Sequence, residues 1–322
     1  MTGYIVHRLL QSLAVVALMS FVIYGLIGLM PGDPIDLMVS GNPNLTSDDA
    51  ARLKRLHGLD RPLVERYGVW ATATLSGDLG YSRAFGQPVL SVIAPRLANT
   101  IVLMALGFGL ALAIALPVGV LAARRPGSLA DRAVNLACFA GISLPTFWLA
   151  LILILIFAVS LKLLPASGMA TIGASLGFWA GLADRATHLV LPVATLAIVN
   201  IAGYTRYLRA AMIETLGEDY IRTARAKGLP ETRVLWRHAL RNAALPVVTV
   251  SALEFGALFS GALITETMFA YPGMGKLIYD AVLGNDFNLA LAGLLLATLV
   301  TLMANLAADI AYAWLDPRIA YG

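Results

Sequence analysis

The chain has little of what disulfide-stapled, metal-binding or catalytic proteins rely on. Its one cysteine, Cys138, lies in an apolar run, so an internal disulfide is excluded and no redox compartment can be read from it. Four histidines, His7, His57, His188 and His238, are scattered without metal-ligand spacing. No HExxH zinc signature is present. A nucleotide-binding loop is missing too. Gly275 and Lys276 copy the end of one, but Ala270 stands where its first glycine belongs and Leu277 where Ser or Thr would hold magnesium. If ATP drives this chain, another protein hydrolyses it.

Charge is equally scarce, at 13% of residues, against about 25% in globular domains. Hydrophobic residues make up 59% and the mean hydropathy is +0.78. That balance predicts an integral membrane protein. The net charge of +4 does not imply nucleic acid, because the basic residues cluster beside apolar runs, where membrane orientation explains them.

What is present is a series of long uncharged runs. Residues 9–30 are the first, preceded by His7 and Arg8 and long enough to cross a hydrocarbon core. The run is too long for a signal peptide and ends in Pro31-Gly32-Asp33-Pro34 without a small-residue cleavage site, so it reads as a retained span. Further runs lie at 97–123, 133–161, 189–205, 242–265 (interrupted only by Glu254) and 287–308. An all-α protein of six transmembrane helices follows. Residues 31–96 form a small polar insertion after the first helix, in which Thr46, Asp48 and Asp49 predict a helix start and Ala50–Leu56 a short helix. The chain thus divides into 1–30, 31–96 and a transmembrane core, 97–322, which carries a charged loop at 206–241.

Residues 163–183 are also uncharged, but Pro165 and glycines 168, 173, 177 and 181 suit a lone lipid-facing helix poorly. Topology argues the same way. Segment 206–241 has eight basic residues against four acidic ones, and Arg124, Arg125 and Arg132 mark the turn after the second run. Six spans place both basic segments and both termini in the cytoplasm, and a seventh would expel the 206–241 loop. The insertion is long enough to be exempt from that rule.

Residues 218–246 are a charged island. Glu218–Lys227 has good helix formers, with Glu218 four positions ahead of Arg222 in the favourable order. Gly228 stands where a left-handed cap belongs, and Pro230 where a following helix tolerates a missing N–H. Two short helices around a tight turn are expected. In the second, Leu235, Ala239 and Ala243 recur every four residues with Trp236, Leu240 and Ala244 beside them, while Arg233, Arg237 and Arg241 form a separate basic row. A helix pair held near anionic lipid and a docking element for a soluble partner both fit this pattern.

The island resembles the EAA loop of ABC importer permeases, and YIRTARAKGLP with RHALRN is similar to its form in the dipeptide and oligopeptide permeases. Two departures from the general motif are visible. Counted back from Gly228, the Glu-Ala-Ala positions hold Arg222, Thr223 and Ala224, and the downstream Leu-Pro pair comes late, at Leu245 and Pro246. Both resemble the peptide branch. The pieces PGDP, HGLDRP and SGDLGYS resemble the segment after the first span in these permeases, and the stretch from Glu266 to Gly275 resembles their ETxFxxPGxG element. There the Pro-Gly turn is expected to leave Glu266 and Phe269 at the rim of a pathway.

Glu254 is the one ionisable residue deep in a run, about 18 Å from its start at Asn242. A charged acid there costs about 2.5 kcal/mol or more, so it should face protein or water. Packing and pathway readings both stay open. Pro117, Pro145 and Pro192 fall inside spans, with Gly141 and Ser143 near the second, and mark bends.

The resemblance covers nearly the whole chain. It implies the type I ABC importer transmembrane fold in a bacterial cell membrane, as the first of two homologous permeases. Two ATPase subunits, an extracytoplasmic binding protein and the bilayer are the implied partners. ATP and magnesium would be bound by the ATPases, with no cofactor here. Glu218, Asp219, Tyr220, Ile221, Arg222, Thr223, Ala224, Arg225, Ala226, Lys227 and Gly228 would be the coupling helix and its turn. Ser143, Glu254, Thr265, Glu266 and Phe269 are candidate pathway residues. Dipeptides, oligopeptides, glutathione and nickel chelates are cargoes of such permeases. Two competing readings are a stand-alone ion-coupled carrier using Glu254 and an intramembrane hydrolase. One buried acid without an obvious internal repeat weighs against the carrier, and the lack of paired catalytic residues against the hydrolase.

Overall fold

The computed structural model describes residues 2–29, 52 and 61–315, with some side chains inside helices, Glu254 among them, outside the described ones. The expected helix at 50–56 lies outside the described residues, apart from Arg52.

The described chain is mostly helical, with one two-stranded hairpin. Helix α1, Thr2–Ile27, exposes Leu9, Leu10, Leu13 and Leu18 and buries Ile23 and Ile27. What is described of the insertion is α2, Leu63–Leu75, and a hairpin of β1, Tyr81–Ser82, and β2, Gln87–Pro88, with Tyr81 opposite Pro88. Aromatic rings bind α2 to α1: Tyr67 meets Phe21 edge-on at 5.1 Å, and its hydroxyl lies 2.8 Å from that of Ser20.

Helix α3, Val89–Arg124, starts eight residues ahead of residue 97, within the stretch assigned to the insertion. It packs along α6, Phe178–Leu216. Gly107 and Gly119 let the two helices close up, since a Cβ on either would come within 3.0 Å of Leu196 or Leu208. At 39 residues, α6 is about 58 Å long and overshoots a bilayer core of about 30 Å.

The expected span 133–161 is not straight. Helix α4, Leu129–Ser143, meets α5, Thr146–Leu153, at 103°, and α5 continues as π-helix Ile154–Ser160. The cause is Pro145, which lacks an N–H and forces Leu144 into extended backbone, φ −84° and ψ 122°. Residues 161–177 form no helix, in keeping with the exclusion of a seventh span at 163–183.

Helix α7, Asp219–Ala226, follows α6. A turn at Glu231–Arg233 and π-helix Val234–Ala239 lead straight into α8, Leu240–Met268; then come α9, Met274–Leu283, and α10, Phe287–Leu315. Among the described residues, four helices are long and apolar enough to cross a membrane (Val6–Ile27, Val89–Arg124, Phe178–Leu216, Phe287–Ala307), or five with the bent pair counted as one. Helix α8 occupies the place of the remaining expected span.

Candidate functional site

The charged island is built on one anchored face. Glu218 caps α7 in extended backbone, and Ile221 and Ala224 are the only buried side chains of that helix. They pack with Ala115, Val120 and Ala123 of α3, Leu208 and Met212 of α6, and Val234, Leu235 and Ala239 of the π segment. Glu218, Asp219, Arg222, Thr223, Arg225, Ala226 and Lys227 face outward, with Tyr220 partly so. The result is a short helix fixed on one side and polar on the other.

Gly228 ends it with φ +76°, as a left-handed cap requires. Arg225 then forks across the turn to Glu231, Nη2 to Oε1 at 2.8 Å and Nε to Oε2 at 3.2 Å. That guanidinium holds the Glu231 carboxyl below the ordinary glutamate range, with Arg124 adding to the effect. Tyr220 accepts a hydrogen bond from the Asn242 amide at 2.7 Å, which ties α7 to the start of α8.

Three expectations need correction here. Arg222 pairs not with Glu218 but with Asp219, at 3.3 Å, because Glu218 stands outside the helix as its cap. The second helix is not a short, separate one; it runs without a break into α8. Trp236 is 45% exposed and Val234 is buried instead, because π winding between Val234 and Ala239 rotates side chains away from α-helical register. Leu235, Ala239 and Ala243 are buried as expected, and Arg233, Arg237 and Arg241 are exposed.

The turn after α8 is welded shut. Glu266 is fully buried and accepts hydrogen bonds from the Thr100 hydroxyl and from the backbone N–H groups of Gly275 and Lys276, the last at 2.9 Å. Thr100 in turn accepts from Met274 N at 2.7 Å, and Asn99 donates to the Pro272 carbonyl at 2.8 Å. Gly168 N donates to the Phe269 carbonyl, adding the 161–177 segment to the joint. Gly273 leaves room for the Glu266 carboxyl, since a Cβ there would stand 2.1 Å from it. The side chain of Lys276 pairs with Asp280 at 2.5 Å, in a helical turn unlike a phosphate loop.

Glu266 and Phe269 are therefore not rim residues in this chain: they are 0% and 1% exposed. Thr265 is buried beside them, its hydroxyl without a hydrogen-bond partner among the described residues. Ser143 is exposed at the α4–α5 bend, its hydroxyl spent on the Phe139 carbonyl at 2.8 Å. Thr265, Glu266 and Phe269 come together at one turn, and Ser143 belongs to another element.

Two buried carboxylates with long-range partners escaped the sequence. Asp131 receives a forked bond from Arg209, at 2.5 and 2.7 Å, and also accepts from Gly127 N and Asn135, locking the start of α4 onto α6. Asp286 is 2% exposed and accepts from Ser82 at 2.5 Å and Ala84 N at 2.9 Å, so the SGDLGYS piece docks at the start of α10. Asp286 stands directly ahead of an apolar run, a local signal that could have found it; Asp131, with Arg132 between it and its run, carries no such mark.

A family profile described as the binding-protein-dependent transport system inner membrane component matches residues 115–321. The oligopeptide transport system permease protein AppB of Bacillus subtilis is 38% identical over 322 residues, with all of both chains covered. The dipeptide transport system permease protein DppB of Escherichia coli K12 is 36% identical, with 100% of this chain and 99% of its own covered. Among solved structures, an inward-facing MetNI methionine ABC transporter matches with a TM-score of 0.55 at 17% identity, over 70% of this chain and 97% of that one. That likeness is one of fold.

Proposed function

The chain belongs to the family of binding-protein-dependent transport system inner membrane components, and from that premise we propose that it is the permease subunit of an ATP-driven importer of dipeptides, oligopeptides or similar small solutes. It forms the pathway with a second, homologous permease in a bacterial cell membrane. Two ATPases bind ATP and magnesium, and an extracytoplasmic binding protein delivers the cargo. Helix α7 and both termini lie on the cytoplasmic side.

The observation that carries this reading is the geometry of α7. Ile221 and Ala224 hold it to α3, α6 and the root of α8, while its other faces are polar and exposed. Such a helix can be seated in a partner's groove and pass displacement to the helices it is anchored on. ATP binding closes the ATPase pair, the docked helix moves, and the spans switch the side to which the cavity opens. Energy enters only through that contact.

The test is Gly228→Asp, or deletion of residues 218–228, in the assembled importer. Loss of ATPase association and of uptake is expected. If both survive, the coupling role is wrong.

A further inference from the structure

The basic row on the second half of the island is not used by the docking role of α7. Arg233, Arg237 and Arg241 recur every four residues and are all exposed. The buried face of Val234, Leu235, Ala239 and Ala243 turns them outward. The nearest acid in sequence, Glu231, is taken by Arg225. Among the described residues none of the three arginines has an ion-pair partner. Three uncompensated guanidinium groups therefore share one surface.

Their position says what covers them. At Asn242, the residue after Arg241, the chain enters the uncharged stretch that ends at residue 265 and is broken only by Glu254. Arg233 and Arg241 lie about 12 Å apart along the helix, a length comparable to a headgroup layer with its adjoining water. Trp236, 45% exposed, stands between them, and a half-exposed indole is the side chain most at home at that depth. Forked guanidinium groups suit phosphate oxygens, and basic clusters just outside a span attract anionic leaflets.

We propose that Arg233, Arg237 and Arg241, with Trp236, form a binding surface for the phosphate headgroups of anionic phospholipids where α8 enters the membrane. The surface seats the root of α8 in the leaflet and does not depend on the identity of the cargo or on ATPase docking.

The experiment compares the full complex, in nanodiscs of phosphatidylcholine with and without phosphatidylglycerol, between the wild type and R233Q/R237Q/R241Q. Native mass spectrometry counts the phosphatidylglycerol retained. Retention should weaken roughly fivefold for each arginine removed, about a hundredfold for all three. It should fall with salt and recover in R233K/R237K/R241K, while α7 keeps its partners. Equal retention in the triple Gln variant overturns the proposal. So does loss of a co-purifying protein with lipid retention unchanged, since the row would then belong to a protein interface. Displacement of phosphatidylglycerol by inorganic phosphate at matched concentration also overturns it, as the surface would then be a site for free anions.

Discussion

Replacing Gly273 by alanine isolates what the buried carboxylate of Glu266 contributes. Gly273 has φ −100° and ψ −179°, a backbone conformation open to any residue, so the substitution brings no torsional strain. The obstacle is space: the new Cβ would lie 2.1 Å from both the carboxyl carbon and Oε1 of Glu266. The carboxylate must swing away, stranding the Lys276 and Gly275 N–H groups and the Thr100 hydroxyl in a fully buried turn. At about 1–3 kcal/mol for each buried unsatisfied group, stranding three of them means Gly273→Ala should cost about 3 kcal/mol or more. With a few degrees lost per kcal/mol in a chain of this size, the melting temperature should fall by about 10 °C.

The decisive measurement is a double-mutant cycle. Glu266→Ala strands the same donors but leaves room for a methyl group, so Gly273→Ala added to it should cost less than about 1 kcal/mol. Gly275→Ala provides the contrast: its Cβ would stand 2.6 Å from the Cα of Leu263, a backbone atom that the loss of Glu266 does not move. The assay is thermal unfolding of the purified protein in one detergent, followed by tryptophan fluorescence. Additive losses for Gly273→Ala and Glu266→Ala, or rescue of Gly275→Ala by Glu266→Ala, would refute the reasoning.

Other outcomes follow from the same structure. At Gly228 nothing lies within 4 Å of an added Cβ and φ is +76°, so the cost is conformational alone. Gly228→Asn should lose a few tenths of a kcal/mol and Gly228→Val about 1–2, read as hydrogen-exchange protection of α7. The Glu231 carboxyl titrates below its ordinary value of 4.5 when folded. Its contribution is therefore complete above that pH and is lost as pH falls through the lower folded value; unfolding titrations of the wild type and Glu231→Gln should converge only at the acid end. Asp131→Asn leaves the half-buried Arg209 without its ion-pair partner and should cost about 2 kcal/mol by thermal unfolding, while a double Leu replacement costs less. Asp286→Ala should free the hairpin, seen as new proteolytic cleavage within residues 81–88.

Features set by local rules could be read directly from the sequence. The uncharged runs fall on helices, Gly228 adopts the left-handed cap its place in the pattern demands, and the apolar and basic rows of the island separate as their four-residue spacing requires. What escaped depends on contacts between distant segments or on winding. Pro145 is visible as a helix breaker, but only the packing around it sets a 103° bend rather than a mild kink. Glu266 read as a rim residue because an acid beside a Pro-Gly turn is ordinarily solvated; its donors come from Thr100, 166 positions away, and from amides beyond the turn. Asp131 and Arg209 are separated by 78 residues, so nothing local announced their pairing. The π segment before α8 has no sequence mark, and that is why Trp236 was placed on the wrong side.

These long-range contacts explain how displacement of α7 can reach the far turn. Helix α8 spans 29 residues, about 43 Å, from the π segment packed on Ile221 and Ala224 to Glu266. Helix α3 touches both ends as well, through Ala115, Val120 and Ala123 at one and Asn99 and Thr100 at the other. A force applied to α7 therefore acts on two helices already joined at the opposite end, and they must move together or break the Glu266 contacts. In the coupling role proposed above, the π segment Val234–Ala239 is the expected compliant element, since a shift of its hydrogen bonding toward α winding would rotate α8 relative to α7. A lever of the proposed kind needs a firm joint at the far turn, which the Glu266 contacts supply, and the Glu266→Ala and Gly273→Ala variants test that joint without touching α7.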